Sequence, residues 1–328
     1  MTEPSILIAG AGPAGLAMAR ALRARDIGFA IVERAPEAAA SGAGLFLPAN
    51  AVRALHALGV REAGHPVSRM RVLDHRGRRL VDMPFAEIWG DTGECRAIRR
   101  ADLHAALGEG VPVTRGVADP RGYPLVIAAD GIHSAFRSGP PPRPVGLVAW
   151  RFLATGLPEP HGWTAWQGRD RTFLAVALGG GHAYCYADCT GRPAGDWRQL
   201  FAGFADPVPA LVAHGEHAHV ADIEEVGPAF SDDPGIVLIG DAAHAFSPNM
   251  AQGAALAFED ALVLADLIAA GRVGDFRSRR AARVAWVRDQ TRRRDRARHL
   301  PVPVRNTVLR WAGQRMIRSQ FRLLRDRP

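Results

Sequence analysis

Near the start of this chain the apolar run Ser5-Ile-Leu-Ile-Ala9 meets Gly10-Ala-Gly-Pro-Ala-Gly15. A buried-type strand that enters a glycine turn and leaves as a helix restricts the fold more than any composition figure does. In a dinucleotide fold the first glycine makes the tight turn and the second lets backbone approach a pyrophosphate. The third lets helix pack on strand, and the phosphates sit at the helix N-terminus among its free N–H groups. Residues 13–25 are rich in Ala, Leu and Arg, strong helix formers, and predict that helix. Phe29-Ala-Ile-Val32 predicts a second strand ending in Glu33, about where a carboxylate accepts ribose hydroxyls. On this stretch alone, NAD and FAD fit equally well.

The chain has 328 residues, enough for two domains or one domain with a large insertion. It shows no apolar run long enough to cross a bilayer and no basic-then-apolar signal segment, which points to a cytoplasmic protein without a membrane partner. Its three cysteines, Cys95, Cys185 and Cys189, are too few for a disulfide framework and have no companions that would complete a metal site. All 41 basic side chains are arginine, which excludes Schiff-base chemistry and a P-loop, since both need lysine. From Arg272 onward 18 arginines face four aspartates, a net +14 within a total of +8, so residues 1–271 carry −6. The basicity belongs to the tail. Arg292-Arg-Arg294 reads as a solvated helical face, the commoner meaning of a charge run, or as a surface for nucleic acid.

Along the chain, residues 69–83 predict a hairpin turning at Arg76-Gly77, residues 100–107 a helix, and residues 125–129 a buried strand ending in Asp130-Gly131. Gly139-Pro-Pro-Pro-Arg-Pro144 reads as a stiff extended linker. Residues 145–187 are strand-like, broken at Gly168 and Gly179-Gly-Gly181, and residues 236–239 return to the buried-strand pattern. Residues 252–270 predict a long amphipathic helix, followed by an arginine-rich helical tail. The order predicts an α/β fold. A nucleotide-binding domain (1–67, 96–140, 229–275) is interrupted by a hairpin for the substrate sheet (68–95) and by a β-rich domain (145–228), with a basic helical tail (276–328).

Two further motifs each follow a strand: Asp130-Gly-Ile-His-Ser-Ala-Phe-Arg137, and Gly240-Asp-Ala-Ala-His244 with Phe246-Ser-Pro-Asn-Met-Ala-Gln-Gly253 and Glu259-Asp-Ala261. With the glycine turn, these make the chain resemble the FAD-dependent aromatic-ring monooxygenases of the para-hydroxybenzoate hydroxylase fold, from residue 5 to about residue 300. The resemblance implies a Rossmann-type FAD-binding domain, an inserted β-rich substrate domain and C-terminal helices. It assigns Gly10, Gly12, Ala14, Gly15 and Glu33 to the adenosine side of FAD, with Arg34 toward the adenine, and it matches Arg100 and Asp130 to cofactor contacts. Gly240 and Asp241 would meet the ribityl chain, Pro248 the flavin face, and Gly253 the helix start that favours negative charge on a reduced flavin. His244 is mainly structural by this match, with a base as the alternative.

The implied chemistry is single-component. NADPH or NADH reduces the flavin and leaves, O2 adds to give a flavin C4a-hydroperoxide, and its distal oxygen passes to a phenol or polyketide-like ring. Epoxidation, Baeyer–Villiger insertion and a non-redox cyclase or dehydratase remain open on this fold. A halogenase would need a lysine and a differently spaced Trp163-Thr-Ala-Trp166. A flavin-containing nucleic-acid-binding protein is the reading from another class. A monomer or a homodimer is expected.

On the substrate side, His182, Tyr184, Tyr186 and Asp188 alternate with Ala183, Cys185, Ala187 and Cys189, which places the large polar side chains on one face of a strand. That face either lines a cavity or meets solvent. Arg171, brought back by the hairpin at Gly179-Gly-Gly181, is expected beside Tyr184, these two with Pro248 being the catalytic candidates, and Arg151 lies in another strand of the same sheet. Trp150, Trp163, Trp166 and Phe173 suit an aromatic ligand or a core. Two departures stand out: only 29 residues separate Arg100 from Asp130, where strands normally flank the adenine, and Ala251 replaces a common glycine.

Overall fold

The computed structural model describes residues 5–35, 43–61, 63–155, 162–227 and 231–328. A five-stranded sheet, all parallel, runs in the order Ile236–Leu238, Leu125–Ala128, Ile6–Ala9, Ala30–Glu33 and Thr114–Arg115. Ile6–Ala9 is buried along its whole length, as expected where helices cover both faces of a parallel sheet. The helices Pro13–Arg23, Ala49–Ala57 and Gly253–Ala269 share one apolar core with it. The last strand pairs over two residues only, so the short segment before Asp130 leaves this sheet with a stunted edge.

A seven-stranded sheet makes the second layer, in the order His219–Glu225, Arg143–Thr155, His182–Thr190, Arg171–Gly179, Trp163–Gln167, Arg69–Asp74 and Arg79–Pro84. The hairpin at residues 69–84 thus joins strands from beyond residue 140. Its back face carries an aromatic core of Trp150, Phe152, Trp166, Phe173 and Phe201. A three-stranded sheet, Gly44–Leu47 against Cys95–Arg99 against His65–Val67, bridges the two layers. The stretch read as a linker through Pro144 is already strand from Arg143, paired with Glu225 at the sheet edge. The resumption expected near residue 229 lies outside the described residues.

Two sequence expectations are corrected here. Gly253–Ala269, expected as an amphipathic helix, has no polar solvent face in its middle: it is buried on nearly every side from Ala255 to Ala265, Glu259 and Asp260 included. Nor is the tail simply a solvated helical face. Helices Phe276–Arg298 and Val302–Phe321 fold back over the front of the large sheet and bury Arg280, Arg283 and Arg305. The corrections share one cause, because the tail arginines supply the counter-charges that let two carboxylates sit inside the central helix.

Candidate active site

Between the two main sheets lies a cavity of about 1160 Å³, larger than most single-ligand sites and long enough to hold a dinucleotide with a second molecule. At one end are Gly10, Gly12 and Ala14, with Glu33 and Arg34 beside them. Gly10 adopts φ +100°, and a Cβ there would stand 2.6 Å from the Ala129 carbonyl oxygen. Gly15 lies behind the turn, where a Cβ would come within 1.9 Å of the Gly10 oxygen; it is a spacer between helix and strand and does not line the cavity. Gly12 has nothing within 4 Å of its missing Cβ and borders the cavity, so its backbone is open to a ligand. Glu33 accepts from the Ala11 N–H at 2.7 Å and from the Ala35 N–H at 2.8 Å, pinning the turn to the second strand.

Midway stand Asp130, Asp241, Pro248 and Gly253. Asp130 Oδ2 accepts from the Ala135 N–H at 2.9 Å, while its buried Oδ1 has no partner and borders the cavity. Gly240 stays behind the wall: its N–H donates to Asp260 at 3.0 Å, and a Cβ would meet Ala14 at 2.8 Å. His244 is buried with Nε2 2.6 Å from Asp260 and does not reach the cavity, so its part is structural. An open glycine turn, an orphaned carboxylate oxygen and a helix N-terminus without acidic residues in its first turn suit a long, anionic, hydroxyl-rich cofactor, and FAD is such a molecule.

The other half is walled by the large sheet. Tyr184, Tyr186 and Asp188 face the cavity, while Ala183, Cys185 and Ala187 join the back core, so the period-two face lines a ligand space. The Tyr184 ring lies against Gly44, where a Cβ would stand 2.8 Å away. Arg151 sits opposite Tyr186 on one side and His219 on the other, with its guanidinium 5.8 Å from the Tyr186 ring centre. Burial raises the Tyr184 phenol above its ordinary value, outweighing the pull of Arg151 and Arg100. Burial likewise pulls Arg100 down against the support of Asp241, and burial, Arg151 and Arg100 together pull His219 down. Trp163 lines the cavity; Trp150, Trp166 and Phe173 belong to the back core.

Arg171 is not part of this group. Thr172 and Leu174 point into the cavity, so strand alternation sends Arg171 to the other face, where it donates to the Leu200 carbonyl at 2.7 Å. The cavity instead receives arginines from the tail. Gln290, Arg294 and Arg298 share one face of Phe276–Arg298 and all line it. Arg298 clasps Asp188 with two bonds of 2.7 Å, and Tyr186 donates to the same carboxylate at 3.0 Å. Arg294 donates to Gln320 and to the Asn249 carbonyl at 2.7 Å, and burial lowers its pKa to about 10. The four-residue spacing was visible in sequence, but nothing there says what that face meets. His219 was equally hidden, because only strand register sets it beside Arg151.

The model of a family described as "FAD binding domain" matches residues 3–83 and 204–282. The aurachin C monooxygenase/isomerase of Stigmatella aurantiaca is 31% identical over 308 residues, covering 80% of each chain. The 2-heptyl-3-hydroxy-4(1H)-quinolone synthase of Pseudomonas aeruginosa is 31% identical over 88% of this chain and 87% of its own. Among solved structures, Klebsiella pneumoniae HpxO complexed with FAD and uric acid superposes with a TM-score of 0.82 at 26% identity, covering 99% of this chain and 96% of that one. At this identity, over this much of the sequence, the chain belongs to the class A FAD-dependent aromatic monooxygenases and is an oxidoreductase that carries FAD.

Proposed function

We propose that this enzyme hydroxylates an electron-rich aromatic ring, phenolic or polyketide-like, held against Tyr184, Tyr186 and Trp163, with NADPH or NADH as a transient hydride donor and O2 as co-substrate. The observation that carries this is one cavity leading from the glycine turn to the tyrosine face of the large sheet. Bound FAD supplies hydride acceptance and the activation of O2. The protein's residues do the rest. Gly10, Gly12, Ala14, Glu33 and Arg34 take the adenosine half; Arg100, Asp130, Asp241, Pro248 and the N-terminus at Gly253 take the flavin half. The Tyr184 phenol stays protonated and donates to an oxygen on the ring. Arg151 stabilises that oxygen as it becomes anionic, which enriches the ring in electrons. His219, at the start of an edge strand and with its pKa lowered by partial desolvation and by Arg151 and Arg100, accepts the ring's hydroxyl proton. The C-terminal helices exclude water from the tyrosine wall. A cytoplasmic monomer or homodimer belongs to the same reading, in keeping with three buried free cysteines and no described helix long and apolar enough to cross a membrane.

The visible spectrum of the purified protein, before and after anaerobic NADPH, tests this directly. A two-band flavin spectrum that bleaches, followed by a ring product one oxygen heavier under air, is the expected result. Flavin that stays oxidised with both nicotinamides and every phenol offered would overturn the redox reading.

A further inference from the structure

Arg305 lies near the start of Val302–Phe321, on the inner face that it shares with Leu309 and Gly313. It is 7% exposed and lines the cavity. A buried guanidinium ordinarily has a carboxylate to balance it. Three neighbouring arginines obey this, Arg280 reaching Asp260 and Glu259, Arg283 gripping Glu259 and Arg298 clasping Asp188, while Arg294 is satisfied by the Gln320 side chain and the Asn249 carbonyl. Arg305 makes no ion pair among the described residues. Among the described residues its Nε has no hydrogen-bond partner, and its side chain makes a single stretched 3.5 Å approach to Asn306 Oδ1. Burial and the adjacent Arg298 both oppose its charge. Asp170, which favours that charge, is engaged with Arg169 and His299.

A second unsatisfied group borders the same space. Gln167 lines the cavity, and its buried Oε1 has no partner among the described residues. Gln167 pairs across the sheet with Thr172, and Thr172 with Asp188, the carboxylate that Arg298 holds. The row therefore leads from Gln167 to the helix junction where Arg298 ends one helix and Arg305 opens the next.

We propose that Arg305 is the substrate's anion site: the ring lies against Tyr184 and Trp163, and a carboxylate on it is held by the Arg305 guanidinium, with Gln167 accepting from an N–H or O–H group of the same molecule. This rests on the aromatic-hydroxylase reading and narrows it to aromatic acids. A buried guanidinium without an ion-pair partner favours the free protein little, but it forms strong charge-assisted bonds with an entering carboxylate.

The test uses FAD-loaded wild type, Arg305→Met and Arg305→Lys. Each is titrated with the matched probes benzoate and benzamide, and 2-naphthoate and 2-naphthamide, read by tryptophan fluorescence and flavin absorption. Wild type is expected to prefer each acid over its amide by about tenfold or more, the scale of a hydrogen bond to a charged group. Arg305→Met should erase the preference, Arg305→Lys should keep part of it, and Arg305→Met should melt at the same temperature or higher, since an unbalanced buried charge has gone. Three results would overturn the proposal: no acid preference in wild type; a preference that survives in Arg305→Met; or a rise in the NADPH KM of that variant with acid affinity intact, which would assign the cation to the donor's phosphate. Binding needs no turnover, so the two readings fail separately. Neutral phenols that drive NADPH oxidation while acids do not bind would leave the hydroxylase standing and remove the anion site.

Discussion

Tyr184 must keep its proton to act as a donor, and its burial against Gly44 ensures that it does. Burial also pushes up Tyr186, well above the ordinary phenol range, and the thiols of Cys95 and Cys185. For each, the folded state holds its proton more tightly than the unfolded state, so stability is intact below the unfolded pKa and falls as pH rises past it. Urea midpoints should therefore decline from about pH 9, where free thiols ionise, and more steeply from about pH 10. Tyr184→Phe should make the second part shallower, leaving the share of Tyr186, and lower kcat/KM by roughly five- to thirtyfold while FAD stays bound. Ala251 holds φ +52°, a left-handed conformation that favours glycine. Ala251→Gly should raise stability by about 0.5–1 kcal/mol in urea unfolding and leave FAD content unchanged. Alternation alone made the face of Tyr184 legible. Arg171 pairs with Cys189, which belongs to the back core, so strand register turns its side chain away from the cavity.

At the scale of elements, Gly253–Ala269 carries the heaviest load. Its Glu259 and Asp260 are buried and answered by five groups: the Arg280 and Arg283 guanidinium groups, His244, the Asn50 amide and the Gly240 N–H. Burial pushes the Asp260 carboxyl up, but His244, Arg280 and Gly240 outweigh it and hold its pKa below the usual carboxylate value. That contribution is present above the unfolded pKa near 4 and is lost as pH falls through the lower folded value. Asp260→Ala leaves Arg280 and His244 without their shared anion and should destabilise by about 3–5 kcal/mol, read as a lowered urea midpoint at pH 7 with early loss of FAD. The motif Gly240-Asp-Ala-Ala-His244 was readable as a unit, yet what it rests on was not. Its support comes from arginines at sequence distances that no local pattern spans.

Taken as a whole molecule, the protein is closed by its tail. Phe276–Arg298 is tied to the turn after Phe246 through Asp295, which accepts from Ser247 and from Asn249 at 2.7 Å, and to the large sheet through Arg298 and Asp188. Arg298→Ala releases that second tie and leaves Asp188 in the wall without its counter-charge, held only by the Tyr186 hydroxyl and the Thr172 N–H. FAD should remain bound, but NADPH oxidation should uncouple from oxygenation, with hydrogen peroxide replacing most of the hydroxylated product. A peroxide assay against oxygen uptake measures this. Coupling equal to wild type would show that the sheet excludes water without the tail.

The sequence by itself determined the α/β class, the strand, glycine turn and helix at the start, the three motifs that each follow a strand, and the polar face of His182–Thr190, because each depends on residues within one strand, turn or helix. Only the tertiary structure decided which arginines see the cavity. Arg171 left it; Arg294, Arg298 and Arg305 entered it from a segment whose charge read as a solvated face. A guanidinium looks the same in sequence whether it meets water or a carboxylate. Its role is set by what the folded chain places within about 3 Å of it, and that depends on strand register and on where the last two helices come to rest.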